Sequence, residues 1–505
     1  MGMMFLHSRS LLVLAALAWS AASFNSAAAA AAPLEFRVSF APAVSTQPFS
    51  GRIVVMLSTG NREPRFGPNW FNPEPMFAVD VKQLAPGQAV TVGAAAIAFP
   101  KPLADLPKGS YAVQAIMDFD RGSRQFANAP GNGYSVARRL ELDPATSGPI
   151  DLTIDQVVKP TSVRDSDRVK FVSFESPALS RFHGRAVHLH AGVVLPASYD
   201  ADPERKYPAI YDIPGFGGNH LTARFLAGRN VTEVAGVEMI YIVLDPDCRW
   251  GHHVFADSAN NGPCGAALIE ELIPHLEKQF RIIPKSTARF VTGHSSGGWS
   301  SLWLQVTYPD TFGGVWSTAP DPVDFRDFQR INLYVPGTNM FTDGAGQPRP
   351  LARRGDRPVL YYQPFSDMEE VMGHGGQLGS FEAVFSPRGQ DGRPVQLWDR
   401  RTGAINPDVA KAWEKYDIRL TLERQWSTLG PKLQGKLHVY MGELDTFYLE
   451  GATRLLKESL AKLGSDAKVE LFPGKDHGTL LDRSLRERMA QEMAAAFRRH
   501  HPDLK

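Results

Sequence analysis

The sequence predicts two domains: an all-β sandwich, then a doubly wound α/β domain with a mostly parallel sheet and one large insertion. Three observations predict this. Short apolar segments separated by Pro, Gly, Asn and Asp fill residues 33–158. From Val169 onward, strand-like and helix-like patterns alternate. Within that alternation, Gly293-His294-Ser295-Ser296-Gly297-Gly298 stands where an apolar run gives way to a helix-compatible one.

Length and composition set the outer limits. A chain of 505 residues, 43% hydrophobic, can build one large core and a smaller one. Its 54 basic and 53 acidic residues nearly cancel, and nothing in that balance points to a general affinity for nucleic acid or for an anionic membrane surface. Residues 1–32 read as a signal peptide. His7 and Arg9 precede the apolar run from Leu11 to Trp19, and the alanines from Ala27 to Ala32 offer small residues for cleavage. The run is short for a span, and no other segment is long and apolar enough to cross a bilayer, so a secreted or periplasmic location is expected. The chain has two cysteines, Cys248 and Cys264. In an exported protein they are expected to form a disulfide, closing a loop of about 15 residues and stabilising the fold by about 3 kcal/mol.

In the β-rich part, strands are predicted at 34–40, 51–58, 76–81, 89–92, 111–119, 136–142 and 151–154. Leu34, Phe36, Val38 and Phe40 alternate with Glu35, Arg37 and Ser39, the pattern of a half-buried strand. Seven such strands suggest an immunoglobulin-like sandwich. The α/β part, 169–505, opens with an antiparallel pair at 171–174 and 185–194. The runs 207–213 and 238–244 are almost continuously apolar, as strands covered on both faces are. Further strands are expected at 288–292, 313–318, 436–441 and 468–472. Helices are expected at 266–280, 297–307, 451–463 and 484–499. The alternation breaks at 320–433, too long for an ordinary connection. This insertion holds a Pro/Gly/Arg-rich run (343–358), helical patches (366–385 and 408–428) and an expected hairpin (387–406). We read it as a cap over the active site, with peripheral structure as the alternative.

The glycine-bracketed Ser295 at a strand-to-helix turn is the pattern of a nucleophile elbow. The turn is too sharp for side chains two residues either side, and it thrusts the serine above the sheet. Serine needs a base and a group that orients the base. His477, in the loop after the last predicted strand, reaches the same rim of the sheet. Asp445 and Glu443 follow the strand before it, and Asp445, deeper in that loop, is the expected acid; Asp476 reads as a solvated loop charge. The order Ser295, Asp445, His477 is the one expected on such a sheet. Donors for an oxyanion are expected from the Ser296 amide and from the glycine-rich loop Pro214-Gly215-Phe216-Gly217-Gly218, with Phe216 ahead of Gly217.

Together Ile213–Gly218, Gly293–Gly298, Gly442-Glu443-Leu444-Asp445 and Asp476-His477-Gly478 resemble the esterase group of the α/β-hydrolases. That group includes enterochelin esterase, esterase D (S-formylglutathione hydrolase), feruloyl esterases and mycolyltransferases. Asn260-Asn261-Gly262-Pro263 leading into Glu270-Glu271-Leu272-Ile273-Pro274 shares the resemblance. It covers 169–500 without the insertion. It implies Ser295 as nucleophile, His477 as base, Asp445 as acid, and Phe216 and Ser296 as oxyanion donors. Pro214 stands where many relatives carry His, and the long insertion departs from simple members.

Weaker signals remain. His294, Trp250 and His252 are candidates to line the pocket. Adjacent His252 and His253 point apart, and no carboxylate or cysteine stands at a zinc spacing, so no metal and no cofactor is expected. Trp299, Trp303 and Trp316 read as core ahead of a substrate platform, and Arg353 and Arg354 as a solvated charge run ahead of contacts for an anionic substrate. The expected function is ester hydrolysis of a small-molecule or carbohydrate-linked substrate through an acyl-enzyme. Three alternatives stand beside it. Acyl transfer and peptide hydrolysis use the same fold; the elbow also resembles that of prolyl-oligopeptidase-type peptidases, whose propeller about 125 residues of β-structure cannot make. The third is a polysaccharide-binding protein without catalysis.

Overall fold

The computed structural model describes residues 32–504 apart from Pro68, Asp120, Arg121 and Gln125. The expected signal segment lies almost wholly outside the described residues.

The N-terminal part consists of β1 (Phe36–Phe40), β2 (Phe49–Ser58), β3 (Met76–Leu84), β4 (Val90–Val92), β5 (Ile97–Phe99), β6 (Gly109–Asp118), β7 (Gly133–Tyr134), β8 (Arg138–Leu142), β9 (Ile150–Ile154) and β10 (Gln156–Val157). They form two sheets. The smaller has the order β4-β1-β9, and the larger β10-β7-β6-β2-β3-β5 with β8 also on β6. Side chains alternate across a strand, and here both faces of the larger sheet are covered. Ile53, Val55 and Leu57 of β2 join Phe36 and Val38 in the core between the sheets. Val54 and Met56 of the same strand join Met76, Ala78 and Ile116 in the core of the following domain. That is why Ile53–Leu57 is apolar without interruption.

The second domain is built on β11 (Val169–Glu175), β12 (His188–Val194), β13 (Ala209–Ile213), β14 (Ile240–Leu244), β15 (Arg289–His294), β16 (Gly314–Thr318), β17 (Leu437–Gly442) and β18 (Lys468–Phe472). Their spatial order is β11-β12-β14-β13-β15-β16-β17-β18. The first two junctions are antiparallel and every later one is parallel. This is an α/β-hydrolase fold. The helix after Cys264 contains a π-turn at Leu268–Leu272. Pro274 accounts for it, since the ring has no N–H to give and crowds the carbonyl four residues back.

Residues between β16 and β17 carry α2 (Tyr362–Met372), α3 (Gln377–Phe385), α4 (Pro407–Trp413) and α5 (Ile418–Leu433), after α1 (Ser296–Thr307) of the main sheet. The helical patch 366–385 is broken by Gly373 at φ +91° and Gly375 at φ +87°. The hairpin is displaced from its expected place. Residues 387–406 make only isolated bridges: Arg388 to Pro394, Trp398 to Ile405, and Ala404 to Asn339 outside the range. The true hairpin pairs Pro350–Arg354 with Arg357–Tyr361, starting inside the Pro/Gly/Arg-rich run 343–358 and ending beyond it. Its turn is Gly355-Asp356 with Gly355 at φ +58°, a two-residue hairpin signal that the surrounding prolines and arginines masked. Two helices close the domain, α6 (Glu450–Lys462) and α7 (Arg483–His500).

The expected disulfide is absent. Cys248 and Cys264 are free thiols. Both turn to Asn261 instead of to each other: Cys248 Sγ donates to its Oδ1 at 3.6 Å and Cys264 Sγ to its backbone oxygen at 3.4 Å. Burial pushes the Cys248 thiol up to about 12 and raises Cys264 as well, so both stay protonated.

Candidate active site

Ser295 joins β15 to α1 with φ +61° and ψ −124°, a conformation that costs an L-residue energy. The neighbouring glycines show what the turn demands. A Cβ on Gly293 would fall 2.2 Å from the Gly297 oxygen, and one on Gly297 would fall 1.8 Å from the Ile213 oxygen. The elbow is held from the sheet side as well, since the Ser295 amide donates to Thr318 O at 3.0 Å. Trp299, Trp303 and Trp316 are core: Trp299 and Trp303 stack at 5.2 Å, and Trp316 stacks on His438 at 4.6 Å.

Ser295, His294 and His477 line one cavity of about 260 Å³ at the C-terminal rim of the sheet. His477 Nδ1 donates to Asp445 Oδ2 at 2.7 Å. Asp445 is fully buried, and its Oδ1 accepts the Phe447 amide at 2.8 Å. Burial opposes charge on His477, but the Asp445 carboxylate, helped by Asp321 and Asp476, prevails and holds its pKa above the ordinary histidine value. Asp476 shapes the loop: its Oδ1 accepts the Gly478 and Thr479 amides at 3.0 and 2.8 Å. His294 touches His477 ring to ring at 4.6 Å, and burial pushes it down to about 3, so it is a neutral brace.

The glycine-rich loop packs on Ser295. A Cβ on Gly215 would lie 3.2 Å from Ser295 Cβ. Gly218 donates to Gly215 O at 2.9 Å across a turn in which Gly217 has φ +90°, a turn type that needs glycine there. Among the described residues the Phe216 amide has no acceptor, and the Ser296 amide opens α1, where no intrahelical partner exists. His252 does not line the cavity. It lies beneath the loop, its Nε2 donating to Pro214 O at 2.8 Å while Nδ1 accepts the Val254 amide at 3.1 Å. Burial pushes it down to about 3, which keeps this neutral tautomer. Trp250 is also apart from the cavity; it lines a different cleft and meets His374 edge-on at 6.0 Å.

Asp321 went unread in the sequence, Arg353 was misread, and the insertion, read as a cap, lends walls whose residues were not named. Asp321 lines the cavity and accepts from Ser296 Oγ at 2.6 Å; burial pushes its pKa up to about 6. Its position directly after β16, at the rim where parallel strands end, was the available signal. The insertion supplies Leu351, Phe365, Gln377, Leu378 and Phe381 to the cavity walls. Arg353 is not a solvated charge: it donates to Asp445 O at 2.9 Å and to Glu450 at 2.7 Å, tying the insertion to the loop of the buried acid.

Residues 187–470, more than half of the chain, match the family model described as "Putative esterase". The chain belongs to this esterase family. It is a carboxylic ester hydrolase, as the expected reading had it. A search of curated proteins finds no match to this esterase. Among solved structures, it resembles a ferulic acid esterase at 14% identity and TM-score 0.41, covering 66% of this chain and 98% of that one. It also resembles the S-formylglutathione hydrolase of Agrobacterium tumefaciens at 13% identity and TM-score 0.41, covering 65% and 95%. A CE1 ferulic acid esterase from Anaeromyces mucronatus follows at 16% identity and TM-score 0.35, covering 67% and 94%.

Proposed function

We propose that this esterase is an exported serine hydrolase working through Ser295, His477 and Asp445. The observation that carries the reading is the 2.7 Å bond from His477 Nδ1 to buried Asp445, on a ring that faces the same cavity as the strained Ser295. With Nδ1–H held by Asp445, the Nε2 lone pair is the base. Ser295 Oγ attacks the ester carbonyl and gives its proton to His477. The carbonyl oxygen gathers charge beside the Phe216 and Ser296 amides. Protonated His477 then donates to the departing alcohol, leaving an acyl-enzyme. Water, deprotonated by His477, releases the acid and frees Ser295. The walls favour an apolar group next to the scissile bond. Export rests on the charged and apolar pattern of residues 7–19 and the alanines after it.

The N-terminal domain we assign to the immunoglobulin-like sandwiches. Two packed sheets support this, as does Tyr111 near the start of β6, whose hydroxyl donates back to Pro107 O at 2.8 Å.

Short-chain p-nitrophenyl esters test the catalytic reading. Wild type should hydrolyse them and take a fluorophosphonate label on Ser295; Ser295→Ala should do neither. Equal rates for the two proteins would overturn the assignment. Product analysis with an added alcohol separates hydrolysis from acyl transfer.

A further inference from the structure

The loop between β2 and β3 belongs to the sandwich, yet it reaches the Ser295 cavity. Trp70 lines that cavity, its ring 5.1 Å from Phe365 of the insertion, 5.8 Å from Phe216 of the glycine-rich loop and 6.2 Å from Phe447. One aromatic from each of four separate segments therefore meets over the nucleophile. Beyond this wall lies a second cavity of about 200 Å³. Trp70, Phe216 and Gln377 line both.

The second cavity has the opposite chemistry. Arg62, Arg65 and Arg124, all from the sandwich, line it. Arg124 lies over the Phe216 ring at 4.6 Å and is tied to Asp247 at 3.0 Å. Arg65 lies over Tyr134 at 4.0 Å and pairs with Glu63 at 2.7 Å. Arg62 is exposed, and among the described residues it has no carboxylate partner. The carboxylate in the lining is Glu369, which is committed to the Leu378 and Gly379 amides at 3.0 Å each. Burial pushes it up to about 7, so it is only partly ionised near neutrality. Arg65 and Arg124 are held in place by their partners, Arg65 also donating to Ala127 O at 3.0 Å, and guanidinium groups fixed in this way, with Arg62 beside them, suit carboxylate and phosphate oxygens.

We propose that the two cavities are one extended substrate site: the aromatic chamber holds the part of the ester beside the scissile bond, and the arginine chamber holds an anionic group further along the same molecule. The inference rests on Ser295 being the nucleophile. The anionic group takes no part in the chemistry; water cleaves one ester bond and the charge is read for binding. The sandwich thereby selects substrate.

Two series of esters test this, over a range of chain lengths. One carries the distal group on the acyl side, the other on the alcohol side. Each is made with a carboxylate, a phosphate and an uncharged primary-amide terminus. In at least one series, wild type should prefer an anionic terminus over the amide by about tenfold in kcat/KM, mostly through KM. The better of the two anions identifies its chemistry. Arg62→Glu should bring that preference to parity or below, and Arg62→Lys should keep part of it. Added salt should weaken it. No preference in either series, or one that Arg62→Glu leaves intact, overturns the inference while ester hydrolysis stands. Failure of wild type to cleave any probe, with no fluorophosphonate label on Ser295, brings down the catalytic reading and this inference together.

Discussion

In the proposed mechanism Ser295 is the residue where strain and chemistry meet. Its positive φ disfavours any side chain with a Cβ, and glycine alone is indifferent to it. Ser295→Gly should therefore be more stable than Ser295→Ala by about 1 kcal/mol in urea unfolding, although both lose turnover by a factor on the order of 10³ or more. Equal stability would mean that the elbow stores no strain. As the proposed base, His477 should set the pH profile. It must be neutral to accept a proton, so kcat/KM should rise with pH through a pKa lying above the ordinary histidine value. Asp321 is one of the charges that raise it, and Asp321→Asn should move this acid limb to lower pH. The same carboxyl has its own linkage. Its folded pKa of about 6 exceeds the ordinary 3.8, chiefly through burial. Its contribution to stability is then complete below the unfolded value and is lost as pH climbs through 6. The thermal stability of Asp321→Asn relative to wild type should accordingly be better at pH 8 than at pH 5.

At the scale of elements, the hairpin at Pro350–Arg354 and Arg357–Tyr361 clamps the catalytic loop after β17. Arg353 makes the clamp, its side chain bridging Asp445 O and the largely buried Glu450. Removing the cation leaves Glu450 uncompensated, which should cost about 3 kcal/mol in Arg353→Ala. The double variant with Glu450→Ala should recover part of that loss, and the two single effects should fail to add. Ester hydrolysis by Arg353→Ala should fall in kcat more than KM rises, because the group that orients His477 is loosened. This clamp also marks the limit of what the sequence discloses. The convergence of Ser295, Asp445 and His477 was readable because a parallel sheet delivers the ends of its strands to one rim, and strand order follows from apolar runs and turns. Period and turn chemistry are local. Arg353 in a run of arginines, Trp70 in a polar loop and Asp321 at the start of an insertion gain their meaning from partners about 90, 145 and 25 residues away, which no local pattern encodes. The disulfide expectation failed for a related reason: spacing permitted it, but Asn261 between the two cysteines draws both thiols.

The whole molecule is held together by the larger sheet of the sandwich, whose central strands are covered on both faces. Val54, Met56, Met76 and Ala78 are buried in one cluster with β12, β13 and the insertion, while their neighbours in sequence fill the core between the two sheets. Helix α2 of the insertion packs on β3 and β5. Arg52 of β2 adds polar fastening: it donates to the Glu370 backbone and to Val371 O at 3.3 Å while pairing with Asp80 at 2.7 Å. Separating the two domains would expose a sheet face of large apolar side chains, at roughly 25 cal/mol for each Å². The domains should therefore unfold as one unit, with a single calorimetric transition that coincides with loss of ester hydrolysis on heating. Met76, fully buried on the face toward the hydrolase domain, is the place to probe this coupling. Met76→Ala should lower the stability of that single transition by roughly 2–5 kcal/mol without splitting it. Two resolved transitions in wild type, or a Met76→Ala protein in which hydrolysis survives a melted sandwich, would show that the domains are independent and that the wall Trp70 adds to the active site is dispensable.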